Sequence, residues 1–258
     1  MSDRYETILY ELKDNVGIVT LNRPKVNNAE NKQMAAELEK VMGICAEDPN
    51  VRAVLIQANG RNFQSGGDVE DFAGASPEFM LEFNGKVIET WKLMWRMRKP
   101  ILGAVQGFCV MDFTNAFDLI MAADNANFAN PEVGLGISPG AGISQYLVRM
   151  VGIRKAKQLL MFSDRITAWE ALHLGIVNWV VPADKLHEEA FKTARKLAQG
   201  ATLALGAIKM TINIGGEMPL NEGLLYQQME QLPLFRSEDQ REAMQAFLEK
   251  RSPEYKGR

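Results

Sequence analysis

Three short apolar runs fix the class of this chain: residues 53–57 (AVLIQ), Ile101–Val105 (ILGAV) and Leu119–Ala123 (LIMAA). Each is continuous rather than alternating, the mark of a strand buried on both faces. Helix is expected between the first two. Ser76 supplies an N-cap and Pro77 the first helical position. Met80, Phe83, Val87, Trp91 and Trp95 then hold one face until Lys99-Pro100 stops it. Upstream, residues 7–12 and 17–21 flank Lys13-Asp14-Asn15 as a hairpin. Met34, Leu38, Val41, Met42 and Cys45 recur at helical spacing and predict an amphipathic helix over residues 31–46. Strand, helix, strand, helix, strand implies parallel pairing with right-handed crossovers. Past Gly142 the pattern is almost wholly helical, apart from a short strand at residues 177–181 (VNWVV). Leu186, Ala190, Phe191, Ala194 and Leu197 make a clear stripe, and Ser237 with Gln240 resembles a capping box. The expected architecture is an α/β core over residues 1–200 and a helical C-terminal region over residues 201–258, suited to packing on a neighbouring subunit.

Composition narrows the function. A net charge of −3 with scattered Lys and Arg gives no field for nucleic acid. The N-terminal stretch lacks a signal-peptide core, and no run approaches the ~20 apolar residues of a membrane span. Two cysteines, Cys45 and Cys109, form neither a disulfide framework nor a metal-ligand spacing. The expectation is a cytoplasmic protein without a structural metal.

Chemistry concentrates in residues 63–68 and 100–142. Phe63-Gln64-Ser65-Gly66-Gly67-Asp68 follows the strand AVLIQ. Paired glycines free the backbone to aim amides at a ligand, as an oxyanion hole requires. The alternative is an ordinary loop in which Asp68 caps a helix. Glu132, in a glycine-rich turn after a strand end, suits a general acid or base, since burial would raise its pKa toward working pH. The alternative is a solvated turn carboxylate. Asp112 precedes an apolar helix-like run, residues 113–117, and reads equally as a helix N-cap. His173 and His187 have no catalytic partner near them, and Ser65 and Ser138 lack a triad-like setting. No phosphate-binding glycine motif is present. The 14 methionines read as core filling.

These residues stand in longer motifs: LNRPKVNNA, the F-x-S-G-x-D loop, KPILGAVQGFCV, FDLIMAADNANFANPEVGLGISPGAG, ITAWEALHLGIVNWVV and FRSEDQREAMQAFLEKR. In that order, across nearly the whole chain, they resemble the enoyl-CoA hydratase/isomerase (crotonase) family. The resemblance implies a spiral of ββα units, a helical C-terminal trimerisation region, and trimers or dimers of trimers. It implies acyl-CoA thioester substrates, with coenzyme A entering as part of the substrate rather than as a separate cofactor. Two backbone N–H groups would hold the thioester oxygen, one of them at Gly67. Glu132 matches the family's acid or base, and Asp112 falls where hydratases carry a second glutamate. Gly140 stands where dienoyl-CoA isomerases place an aspartate, which disfavours that reaction. Lys25, Val26 and Asn28 would surround the adenine, and Ser65, Gly66 and Asp68 belong to the coenzyme A-binding loop. Phe247 and Lys250 would be lent by a neighbouring subunit.

The pattern departs from the family at one point. Cys109-Val110 runs directly into Met111-Asp112 where a glycine run is usual. The flanks stay in phase only if about three residues, most of a helical turn, are missing between Val110 and Met111. The second oxyanion donor would lie in that run, and losing one such donor costs ~2.7–4 kcal/mol of barrier. Hydration or dehydration of a 2-enoyl-CoA is the first expectation. Double-bond isomerisation is the second, and acyl-CoA binding with little turnover is the alternative of a different class.

Overall fold

The structure, a computed structural model, describes residues 5–258. Its nine strands among those residues are β1 (Ile8–Lys13), β2 (Val16–Leu21), β3 (Ala53–Ala58), β4 (Ile101–Val105), β5 (Phe108–Val110), β6 (Leu119–Ala123), β7 (Asn127–Ala129), β8 (Ile166–Thr167) and β9 (Trp179–Val181). The α-helices are α1 (Lys32–Glu47), α2 (Val69–Phe72), α3 (Pro77–Arg96), α4 (Ile143–Val151), α5 (Ile153–Phe162) and α6 (Ala168–His173), followed by α7 (Leu186–Ala198), α8 (Thr202–Asn213), α9 (Leu220–Gln231) and α10 (Glu238–Glu249).

The main sheet runs β1-β2-β3-β4-β6-β9, with β1 antiparallel to β2 and the remaining pairs parallel. Asp14 and Asn15 close the β1–β2 hairpin with positive φ at both positions, the conformation a tight turn of this twist needs. The continuous apolar runs have a direct cause. In β3, Val54 and Ile56 point into one core with Met34, Leu38, Val87 and Trp91. Ala53 and Leu55 point into a second core closed by Leu186, Ala190 and Ala194 of α7. Helices on both faces keep residues 53–56 apolar, and the polar Gln57 comes only near the strand end, where it is half-buried.

Helix starts follow local chemistry. The Asn31 side chain accepts from Met34 N at 2.9 Å to open α1, and the Ser76 hydroxyl accepts from Phe79 N at 3.2 Å to open α3. A buried ion pair docks α8. Lys209 Nζ lies 2.8 Å from Asp118 Oδ2 at the head of β6, and donates to Met94 O at 2.8 Å and Lys99 O at 3.1 Å.

A second, three-stranded sheet, β5-β7-β8, stands beside the first and carries the chain past the site. The sequence shows none of these strands by periodicity, because they span three, three and two residues. The helix expected from residues 113–117 is not formed. A single 3-10 turn, Met111–Thr114, joins β5 toward β6. The segment closes as a tighter i to i+3 turn, with the Thr114 hydroxyl donating to Met111 O at 2.8 Å. No described helix is long and apolar enough to cross a membrane.

Candidate active site

The loop after β3 is built from its own side chains. Gln64 clamps Gly66 on both sides: its Oε1 accepts from Gly66 N and its Nε2 donates to Gly66 O, each at 2.9 Å. Gly66 has φ +98°, a conformation open chiefly to glycine. Glu30 N donates to Gly66 O at 2.9 Å and Asp68 N donates to Glu30 O at 2.8 Å, bracketing Gly67 in a parallel bridge. In that geometry the Gly67 N–H faces away from Glu30, and none of the described backbone hydrogen bonds uses it. A Cβ at Gly67 would overlap the Phe72 ring, so the position requires glycine for space rather than for φ. Val110 N donates to Gln64 O at 3.0 Å, which ties this loop to the end of β5.

Beyond Val110 the 3-10 turn begins. Met111 and Asp112 are its first residues, where N–H groups have no acceptor within the turn. Asp112 is buried, and its carboxylate does not cap its own turn. Oδ1 accepts from Ile143 N, the first amide of α4, at 2.9 Å and from Asn115 Nδ2 at 3.3 Å. Oδ2 accepts from Asn130 Nδ2 at 3.0 Å. The same Asn130 nitrogen donates to Glu132 Oε1 at 3.2 Å. One buried amide thus holds both carboxyl groups, and the other Glu132 oxygen is buried without a partner.

Burial raises the Asp112 pKa well above the usual carboxylate range. The Ile143 N–H opposes this, and the neighbouring Glu132 reinforces it. Ile143 N belongs to a helix N-terminus, which favours the anion, but desolvation outweighs it.

The two carboxyl groups and Gly67 line one cleft of about 410 Å³, walled by Phe72, Phe83, Trp91, Phe113, Leu135 and Ile137. Ser65 and Gly66 line it too. Gly140 does as well, and a Cβ there would approach Asn84 Nδ2 to 2.5 Å.

Other sequence-predicted positions lie elsewhere. Asp68 does not face the cleft: it pairs with Arg23 at 2.7 Å and its Oδ1 accepts from Glu70 N at 3.2 Å, opening α2. It shapes the loop, as the capping alternative held. Asn28 is buried. Its Nδ2 donates to Asn59 O and Asn62 O, and its Oδ1 accepts from Arg23 N, so its side chain is not free for an adenine. Lys25 and Val26 are exposed on the adjoining 3-10 turn. Phe247 is 81% exposed on α10, with Lys250 at its left-handed C-cap, and neither lines the cleft of its own chain. His187 Nδ1 lies 3.0 Å from Gln57 Oε1, outside the cleft.

Two site residues carry no sequence signal that isolates them. Asn130 sits in the Asn130-Pro131-Glu132 turn as an ordinary turn residue. Glu30 lies one residue before the α1 N-cap, where an acid reads as a solvated helix-start charge. It is instead buried and lines the cleft, with its pKa raised by burial and then by Asp112 to about 8.

Comparison with known proteins places the fold in a family. The enoyl-CoA hydratase/isomerase family model matches residues 11–258. A probable enoyl-CoA hydratase of Mycobacterium bovis is 37% identical over 254 residues, covering 97% of this chain and 98% of that protein. A crotonyl-CoA hydratase of Syntrophomonas wolfei is 34% identical over 255 residues, covering 97% and 98%. A Geobacillus kaustophilus enoyl-CoA hydratase crystal structure superposes with a TM-score of 0.93 at 36% identity, covering 99% of this chain and 100% of that one. With the crotonase fold shared along its whole described length, this chain belongs to the enoyl-CoA hydratase/isomerase family.

Proposed function

We propose that this chain adds water to, or removes it from, a 2-enoyl-CoA thioester. The observation that carries the reading is the single Asn130 amide joining Asp112 to Glu132 in the cleft that Gly67 lines. In this reading the Gly67 N–H polarises the thioester carbonyl, with a free N–H at the start of the Met111–Thr114 turn as second donor. Glu132, with an unpartnered oxygen, moves the proton at one carbon, and Asp112 orients water. Coenzyme A enters as part of the substrate, its adenine near the exposed Lys25 and Val26.

Assembly belongs to the same reading. None of α9 is buried within the chain, and Ile212, Leu220, Met229 and Leu248 of the last three helices are each more than 60% exposed. This favours a homotrimer or dimer of trimers, with Phe247 and Lys250 lent to a neighbour's coenzyme A. A cytoplasmic location accords with these substrates.

The test is Glu132→Gln assayed on crotonyl-CoA. Hydration is expected to fall at least ~10²-fold, and full activity would sink the assignment.

One observation favours double-bond isomerisation as a second reading. Three donors already engage the Asp112 carboxylate, leaving Glu132 as the freer base. Asp112→Asn separates the two. A hydratase loses turnover of the 2-enoyl-CoA, whereas a Glu132 proton shuttle keeps turnover of the 3-enoyl-CoA. Reinserting three glycines between Val110 and Met111 tests the alternative of binding without turnover. A rise in activity would mark the short connection as the limiting feature.

A further inference from the structure

Glu30 has no place in that mechanism, yet it is a cleft residue. Glu30 lines both the cleft and an apolar cavity of about 20 Å³ behind it, as do Val87, Trp91 and Phe113. These four residues form the wall where cleft and cavity meet. Glu30 is only 8% exposed, and among the described residues no hydrogen bond or ion pair engages its carboxyl. Thr90, the other polar residue of the small cavity, is satisfied by donating to Lys86 O at 3.1 Å. A plain alkyl chain lying against this wall would seal off an unpaired carboxyl, which is unfavourable.

We propose that Glu30 forms a polar stop in the acyl-binding part of the cleft and selects acyl groups carrying a neutral oxygen, a hydroxyl or ketone, over plain alkyl chains. This rests on the acyl-CoA reading above. No Lys, Arg or His lines the cleft, so nothing there pairs with an anionic acyl end. Glu30 is protonated at neutral pH, because burial and then Asp112 raise its pKa to about 8. A protonated carboxyl donates one hydrogen bond and still accepts, which suits a hydroxyl or a ketone.

The experiment uses saturated esters, so binding is read without turnover. Pentanoyl-CoA, 4-oxopentanoyl-CoA, 5-hydroxypentanoyl-CoA and 5-aminopentanoyl-CoA are titrated calorimetrically into the wild-type protein, Glu30→Leu and Glu30→Gln. The wild-type protein should bind an oxygen-bearing ester about tenfold more tightly than pentanoyl-CoA. Glu30→Leu should remove or reverse that preference, while Glu30→Gln, which keeps a donor and an acceptor, should retain most of it. A preference that survives Glu30→Leu overturns the inference, as does tightest binding of the amino ester, which would make Glu30 a counter-ion. Equal binding of all esters overturns this inference alone. Binding of none removes the acyl-CoA reading with it.

Discussion

Glu30 should tie the stability of this protein to pH in a direction opposite to that of most carboxylates. An ordinary salt-bridged acid is more acidic in the folded state and stabilises it as pH rises. Glu30 is less acidic, with a folded pKa of about 8 against the usual 4.5, because burial penalises the anion and Asp112 adds repulsion. The proton is therefore held more tightly in the folded state. Stability is full below about pH 4.5, falls through the window from there to 8, and is flat above it. At 1.36 kcal/mol per unit, the penalty is about 1 kcal/mol at pH 5, about 3 at pH 7 and about 4 at pH 8. Water in the cleft relieves part of it, so these are ceilings. Glu30→Gln is neutral at every pH and nearly isosteric, and its advantage over wild type should grow across the same window. Urea unfolding of both proteins at pH 5, 6, 7 and 8 reads this directly. Asp112 titrates in both proteins, so its own contribution largely cancels in the difference. A difference between variant and wild type that stays constant from pH 5 to 8 would refute the reasoning.

Gly67→Ala should cost ~10²–10³ in kcat, because the new Cβ overlaps the Phe72 ring and displaces the N–H proposed to hold the thioester oxygen. Gly67→Ala with Phe72→Ala should recover at least about tenfold by opening that space, and no recovery would show that the ring is not the obstacle. Asn130→Ala removes a donor to the Asp112 carboxylate, so Asp112 should ionise at still higher pH. The ascending limb of the kcat/KM profile should move upward, and an unmoved limb would mean that the bridge does not tune the pair. Lys209→Met strands the buried Asp118 carboxylate and should lower stability by about 3–5 kcal/mol in urea unfolding. A loss below about 1 kcal/mol would show that solvent reaches the carboxylate and replaces the lysine.

Legibility in the sequence followed the length of the signal. Runs such as ILGAV and the α1 stripe repeat long enough for periodicity to declare them, and both appear in the fold. Phe108–Val110, Asn127–Ala129 and Ile166–Thr167 pair through backbone bonds alone and have no pattern to read. Residues 113–117 are apolar for a different reason than helix. Phe113 and Phe117 pack edge-on against Phe63, and Phe113 also against Trp91. The strand at residues 177–181 shortened to Trp179–Val181, with Val177 turned into the core. Glu132, Gly67 and Asp112 are candidates because each follows a strand or opens a turn, and the family resemblance singles them out. Glu30, and Asn130 in its bond to Asp112, act through residues far away in sequence. Glu30 interacts with Asp112, and Asn130 with a carboxylate 18 positions earlier, relations that no local window contains.

The 3-10 turn after β5 bears on how Asp112 is aimed. A hydratase-type acid carried on a full helix would take its direction from that helix. Here one 3-10 turn precedes β6, too little to set a side chain by its own backbone. Direction comes instead from outside the segment: Ile143 N at the start of α4 holds one oxygen, and Asn130 after β7 holds the other. Both donors also limit what Asp112 can do. The helix N-terminus favours its anion and burial favours its neutral form, so the group is poised between them while its oxygens are tethered. Glu132 is tethered through one oxygen only. Three donors hold the Asp112 carboxyl against one for Glu132, an asymmetry that fits the proposed roles of Glu132 as proton carrier and Asp112 as its fixed partner.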